Sequence, residues 1–119
     1  MATHPRIPAE RALNLHTYPW EDATVVRCTG RLIAETSPLL KNEVKPLLPN
    51  KRRVILDLTE LSYMDSSGLG ALVGLYISAK KSSCELQLVN LSPRIRELLG
   101  VTTLLSVFEA CGRHGTRMP

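Results

Sequence analysis

The stretch Val54–Lys81, VILDLTELSYMDSSGLGALVGLYISAKK, carries two hydrophobic periods in succession. Val54, Leu56 and Leu58 alternate with Ile55 and Asp57, the period of two that predicts a strand. From Asp65 onward the apolar residues recur at helical spacing, which predicts a helix of about four turns. A strand followed at once by such a helix is half of a β-α-β crossover, so the rest of the chain is read for elements that complete one.

Upstream, TSPLLKNEVKPLL predicts a helix with Ser37 as N-cap, Pro38 at the first helical position and Leu40, Val44, Leu47 and Leu48 on its inner face. Pro46 removes a donor and crowds the preceding turn, so that helix should kink or end there. Earlier still, ALNLHTY and TVVRCTG flank the turn-forming PWEDA, an N-terminal β-hairpin. Downstream, CELQLVN alternates as a strand, and SPRIRELLG repeats the Ser-Pro helix start, with Gly100 expected as its C-cap. A helical turn and the strand-like SVFEA complete the order ββαβαβα(β). The expected fold is α/β, a mixed sheet of about four to five strands with three to four helices, its parallel strands joined by right-handed crossovers. The domain should span residues 13–110, with loose ends at 1–12 and 111–119.

Composition narrows the functional classes. A chain of 119 residues with 44% apolar and 22% charged residues fits one folded domain. No apolar run approaches the roughly 18 residues of a membrane span, and the N-terminus lacks a signal-peptide core, so a cytoplasmic protein is expected. The net charge of +4 comes from scattered clusters, and five aromatics offer little for bases to stack on; the basic residues read as solvated surface, without direct nucleic-acid binding. Cys28, Cys84 and Cys111 show no metal-ligand spacing and read as reduced thiols, so no metal or cofactor is expected. GLGALVG has the wrong spacing for a dinucleotide loop, no P-loop lysine follows, and no G-x-S-x-G is present. His4, His16 and His114 lie in or near the terminal segments, and no residue is assigned a catalytic role.

The DSSG run then has to be explained as something other than an active site. With Asp65 as N-cap, its carboxylate would accept from the amide of Ser67 or Gly68, and the helix would begin at Ser66. At about 100° per residue, Leu69, Leu72, Val73 and Tyr76 gather on one side, taken as the core side. Ser67, Gly70, Ala71, Gly74 and Ser78 gather opposite, within about 60° of Ser67, while Ser66 turns toward the core edge. Each internal glycine costs a helix about 1 kcal/mol relative to alanine, so this small-residue face predicts close approach by another protein. Ser67 is the hydroxyl such a partner would meet, at a helix N-terminus that can accommodate a phosphate.

VILDLTELSYMDSSGLGALVGLYISAKK closely resembles the core of the STAS domain, named for sulfate transporters and anti-sigma factor antagonists. VVRCTGRL resembles the G-x-L segment of that family, and LVNLSPRIRELLGVTTLLSVF its closing strand, helix and final strand, so the resemblance runs from Leu13 to Glu109. It implies a bacterial anti-anti-sigma factor, which binds an anti-sigma factor and so frees a sigma factor. The anti-sigma factor of such a pair is often a serine kinase using ATP and Mg²⁺, which phosphorylates the second serine of DSSG, here Ser67 in preference to Ser66; a PP2C-type phosphatase reverses the step. The chain would then be substrate and ligand, not an enzyme. Asp65, Ser66, Ser67, Gly68, Gly70, Ala71, Gly74, Ser78 and Ile33 are the implied partner-binding residues. Ile33 departs from the family pattern, which places an acid after G-x-L in what is expected to be a surface loop; here Glu35 follows two places on. The family also contains adaptor subunits of lipid-transport ABC complexes and stress-signalling scaffolds, which form the alternative reading.

Overall fold

A computed structural model describes residues 12–101 of the chain, for the last four of them the backbone alone. The elements run β1 (Leu13–Trp20), β2 (Ala23–Leu32), α1 (Ser37–Val44), a 3₁₀ turn (Lys45–Leu47), β3 (Arg53–Met64), α2 (Ser66–Lys81), β4 (Glu85–Val89) and α3 (Pro93–Val101). They form the mixed α/β fold that the sequence predicts, with one four-stranded sheet in the order β1-β2-β3-β4. β1 and β2 are antiparallel, whereas β2–β3 and β3–β4 are parallel, as crossovers through α1 and α2 require. SVFEA, residues 1–11 and residues 111–119 lie outside the described residues.

The hairpin is tighter than PWEDA predicts. Trp20 pairs with Ala23, so Glu21 and Asp22 alone make the turn, and Glu21 adopts the positive φ of 54° that a two-residue hairpin loop demands. Pro19 joins the ladder opposite Thr24, which is permissible because β1 is an outer strand. The Thr17 hydroxyl of that strand donates to Glu43 of α1 at 2.6 Å.

β3 explains its own sequence: its residues 54–58 are buried on both faces. Val54, Leu56 and Leu58 join the main core with Val26 and Cys28 of β2, Leu86 and Leu88 of β4, and Leu40, Leu72, Leu75 and Ile95 of the three helices. Ile55 points the other way, into a smaller cluster with Ala23 and Val25. α1 ends at Val44 and tightens into the 3₁₀ turn at Pro46, as expected. Its N-cap is Thr36, one place earlier than predicted, because the hydroxyls work backwards: Thr36 Oγ1 donates to the Arg31 carbonyl at 2.7 Å and Ser37 Oγ to the Ile33 carbonyl at 2.8 Å. Ser92 does cap α3, accepting from the Ile95 amide at 3.2 Å, but the helical backbone continues through Gly100 instead of closing there.

One carboxylate is buried in the sheet. Asp57, 2% exposed, accepts from the Thr59 amide (3.0 Å) and hydroxyl (2.6 Å) and from Asn90 Nδ2 (3.1 Å), with Arg27 Nε 3.5 Å away. Burial alone would raise its pKa; the Thr59 and Asn90 hydrogen bonds and the Arg27 charge outweigh it and hold it below the ordinary value. Asp57→Ala should therefore destabilise the fold by about 2–3 kcal/mol at neutral pH. Because the folded pKa is depressed, that contribution is present above the unfolded value and is lost as pH falls through the folded one. Urea denaturation should show the gap between wild type and variant closing below about pH 4.

Candidate functional site

The end of β3 and the start of α2 are built onto the end of β2. The Asp65 amide donates to the Leu32 carbonyl at 3.2 Å, and the extended Asp65 caps α2 by accepting from the Gly68 amide at 3.0 Å, as the sequence predicts. Gly68 is buried against this joint: a Cβ there would lie 2.4 Å from the Leu32 carbonyl oxygen and 2.8 Å from Met64 Cγ. It is therefore an internal packing residue, and its expected place at a partner surface is corrected.

The helix is also rotated relative to the predicted faces. Its buried residues are Gly68, Ala71, Leu72, Leu75 and Ala79. Ala71, expected on the small outer face, is 1% exposed, while Leu69 and Tyr76 only flank the core and Val73 is half-buried. Small size is what puts Ala71 and Ala79 inside, where α2 lies close to α1 and β4. The outward arc holds Ser66, Ser67, Gly70, Ile77 and Lys81, with Gly74 and Ser78 half-exposed. Ser66 is exposed like Ser67, so the expected separation of the two serines by burial does not hold. Ile77, 49% exposed, also lies on this arc, which the sequence reading does not include; its spacing of seven from Gly70 and three from Gly74 is the signal that places it on their side.

Gly70 and Gly74 differ from Gly68 in kind. Beyond their chain neighbours and the backbone of their own helix, no described atom lies within 4 Å of a Cβ built on either, so no close packing against another part of the described chain calls for glycine there. The result is an open, smooth strip running from the two serines to Ile77.

Ile33 lies in the loop after β2, but its side chain is turned inward. It is 3% exposed, its amide donates to Thr36 Oγ1 at 2.9 Å, and its carbonyl accepts from the Ser37 amide at 2.8 Å. The loop does lie beside the α2 start through Leu32, but its outward residues are Ala34 and Glu35. Ile33 is thus removed from the partner-binding set. Cys28 and Cys84 are buried free thiols; burial, with Asp57 nearby, pushes Cys28 up to about 12, while Cys84 is also raised, first by burial. Cys111, His4 and His114 fall outside the described residues.

A family model described as "STAS domain" matches residues 16–117. The anti-sigma-B factor antagonist of Bacillus subtilis (strain 168) is 31% identical over 97 residues, covering 82% of this chain and 89% of that protein. The anti-sigma-B factor antagonist of Listeria monocytogenes serovar 1/2a is 40% identical over 82 residues, covering 67% and 71%. In fold, the chain is similar to an anti-sigma factor antagonist from Mycobacterium paratuberculosis, with a TM-score of 0.76 at 20% identity, over 86% of this chain and 87% of that one.

The geometry separates the glycines experimentally. Gly70→Ala and Gly74→Ala should each stabilise the fold, by up to about 1 kcal/mol, whereas Gly68→Ala should destabilise it. Ile33→Asp buries a charge and should cost at least ~3 kcal/mol. Urea unfolding of the four variants checks the order; a loss of stability in Gly70→Ala would mean that this strip packs against its own chain.

Proposed function

The chain belongs to the STAS domain family, and from that premise we propose that it is an anti-sigma factor antagonist switched by phosphorylation of Ser67. Unphosphorylated, it lays the outward face of α2 against an anti-sigma factor, and a sigma factor is released. The observation that carries this reading is the accessible serine pair at the capped start of α2, continuous with a strip where Gly70 and Gly74 hold no partner at a distance. The relatives named as antagonists of anti-sigma factors supply the class of partner. Asp65 fixes the helix start, Ser67 takes the phosphate in preference to Ser66, and Gly70, Gly74, Ile77 and Ser78 form the contact.

The switch follows from electrostatics. Phosphate adds about −1.5 to −2 charge at a helix start whose free amides tolerate an anion, so the free protein stays folded. In the complex the same group must lose water beside Asp65, at a cost of several kcal/mol unless the partner supplies a cation. Losing ~3 kcal/mol weakens binding more than a hundredfold. The kinase, which uses ATP and Mg²⁺, is the anti-sigma factor itself or its associate; a PP2C-type phosphatase restores the hydroxyl, and the whole cycle belongs in the cytoplasm. The chain contributes an acceptor hydroxyl and a surface, and no catalytic group.

Titration calorimetry of the wild type, Ser67→Ala and Ser67→Asp against the cognate anti-sigma factor tests this reading. Ser67→Ala should bind like the wild type and resist phosphorylation by mass spectrometry, and Ser67→Asp should bind at least tenfold more weakly. Ser66→Ala should still accept phosphate. Gly74→Leu should remain folded by circular dichroism yet lose at least tenfold in affinity. Equal affinities for the wild type, Ser67→Ala and Ser67→Asp would remove Ser67 from the mechanism and favour the lipid-transport adaptor.

A further inference from the structure

Three side chains meet at the carboxyl end of the parallel strands. Arg31 and Tyr63, each next to the last residue of its strand, are register partners across β2 and β3, and the Arg31 Cζ lies 5.1 Å from the Tyr63 ring centroid. Arg94, in the first turn of α3, brings its Cζ to 5.9 Å from the same centroid. Two guanidiniums share one ring, both inside the range of about 6 Å at which a cation is held by the ring quadrupole.

Neither guanidinium forms an ion pair with a carboxylate of the described residues. The contrast within the same sheet is informative: Arg27 faces Asp57 and Arg53 faces Asp22. The acids nearest these arginines along the chain, Glu35 and Glu97, make no ion pair with either of them, and Asp65, two residues after Tyr63, commits an oxygen to the Gly68 amide. Arg31 is half-buried and Arg94 exposed, so N–H donors remain available to an incoming group. The cation–π contact with Tyr63 favours these side-chain positions before any ligand arrives, which reduces the ordering cost of binding. Arg and Tyr are also the residue types on which interface energy concentrates.

We propose that Arg31 and Arg94, braced on Tyr63, form a contact patch for an acidic segment of a protein partner. Met64 and Asp65 alone separate Tyr63 from the serine pair, a span of at most about 11 Å of chain to Ser66, so one partner can cover both. This part of the inference rests on the antagonist reading; the chemistry of the patch does not. A carboxylate-bearing loop fits better than a nucleic-acid base. The Tyr63 ring is already engaged by two cations, and the ring–ring pair among the described residues, His16 with Tyr18, is on β1. The patch offers N–H donors and positive charge, with no free stacking platform beside them.

The test uses the full-length chain with arginine side chains labelled for NMR, titrated with a hexaglutamate peptide and, separately, with hexadeoxythymidine. Hexaglutamate should move the Nε–Hε signals of Arg31 and Arg94 together and leave those of Arg27 and Arg53 in place. In the Arg31→Gln/Arg94→Gln variant its affinity should fall at least fivefold. Equal movement of all the arginine signals, no movement of these two, or preferential binding of the oligonucleotide overturns the proposal; should the double variant fail to fold, the wild-type signals alone decide. Against the anti-sigma factor, the same variant should slow association at least tenfold at low salt, with the difference shrinking as salt is added. Failure of the Ser67 series with success of the hexaglutamate titration would discard the switch and keep the patch.

Discussion

The carbonyl oxygen of Leu32 receives the Asp65 amide and occupies the space that a side chain on residue 68 would need. Two constraints thus fall on one atom. The hydrogen bond continues the parallel pairing of β2 with β3 up to the residue where β3 gives way to α2, and the close approach lets the first turn of α2 settle on the end of β2. Asp65 then has its backbone held extended and its carboxylate turned to the Gly68 amide, which sets where the helix begins. The positions of Ser66 and Ser67, and the direction in which the glycine strip faces, are consequences of that joint.

The same joint explains why part of the site was readable in the sequence and part was not. The strand period around Asp57, the Asp65 cap and the order of elements are local facts, written in spacing and capping chemistry over a few residues. The rotation of α2 about its axis is not local. Whether Leu69 or Leu75 points inward depends on how closely α1, β3 and β4 approach, and that distance is set by Gly68, Ala71 and Ala79, whose small size a hydrophobicity pattern treats as neutral. The burial of Ile33 is hidden from the sequence for a related reason: Thr36 and Ser37 fold the chain back onto its backbone and draw the side chain inward, and loop composition does not reveal such hydrogen bonds. Gly100 shows the limit of single-residue punctuation, since glycine ends helices often but not by necessity.

Charge is arranged unevenly over the sheet. In mid-sheet, Asp57 gathers Thr59, Asn90 and Arg27 into a knot that joins β2 and β3 to the residue that follows β4. At the carboxyl end of the strands the cations have aromatic company in place of acids. Satisfied charge in the interior holds a fold together, whereas cations without an ion-pair partner keep their charge available at the surface. The serine pair follows Tyr63 by three residues, so the two arginines and the serines belong to the same end of β3.

The outer strand β1 has a bearing on how much of this protein a cell can hold. It presents an edge beyond which no described strand lies, and such edges invite lateral pairing between copies. Pro19 lacks the backbone donor that such pairing would use. A protein that acts by occupying its partner has to be present in numbers comparable to that partner. An edge that resists adding strands keeps a stoichiometric regulator dispersed at the concentrations such work requires.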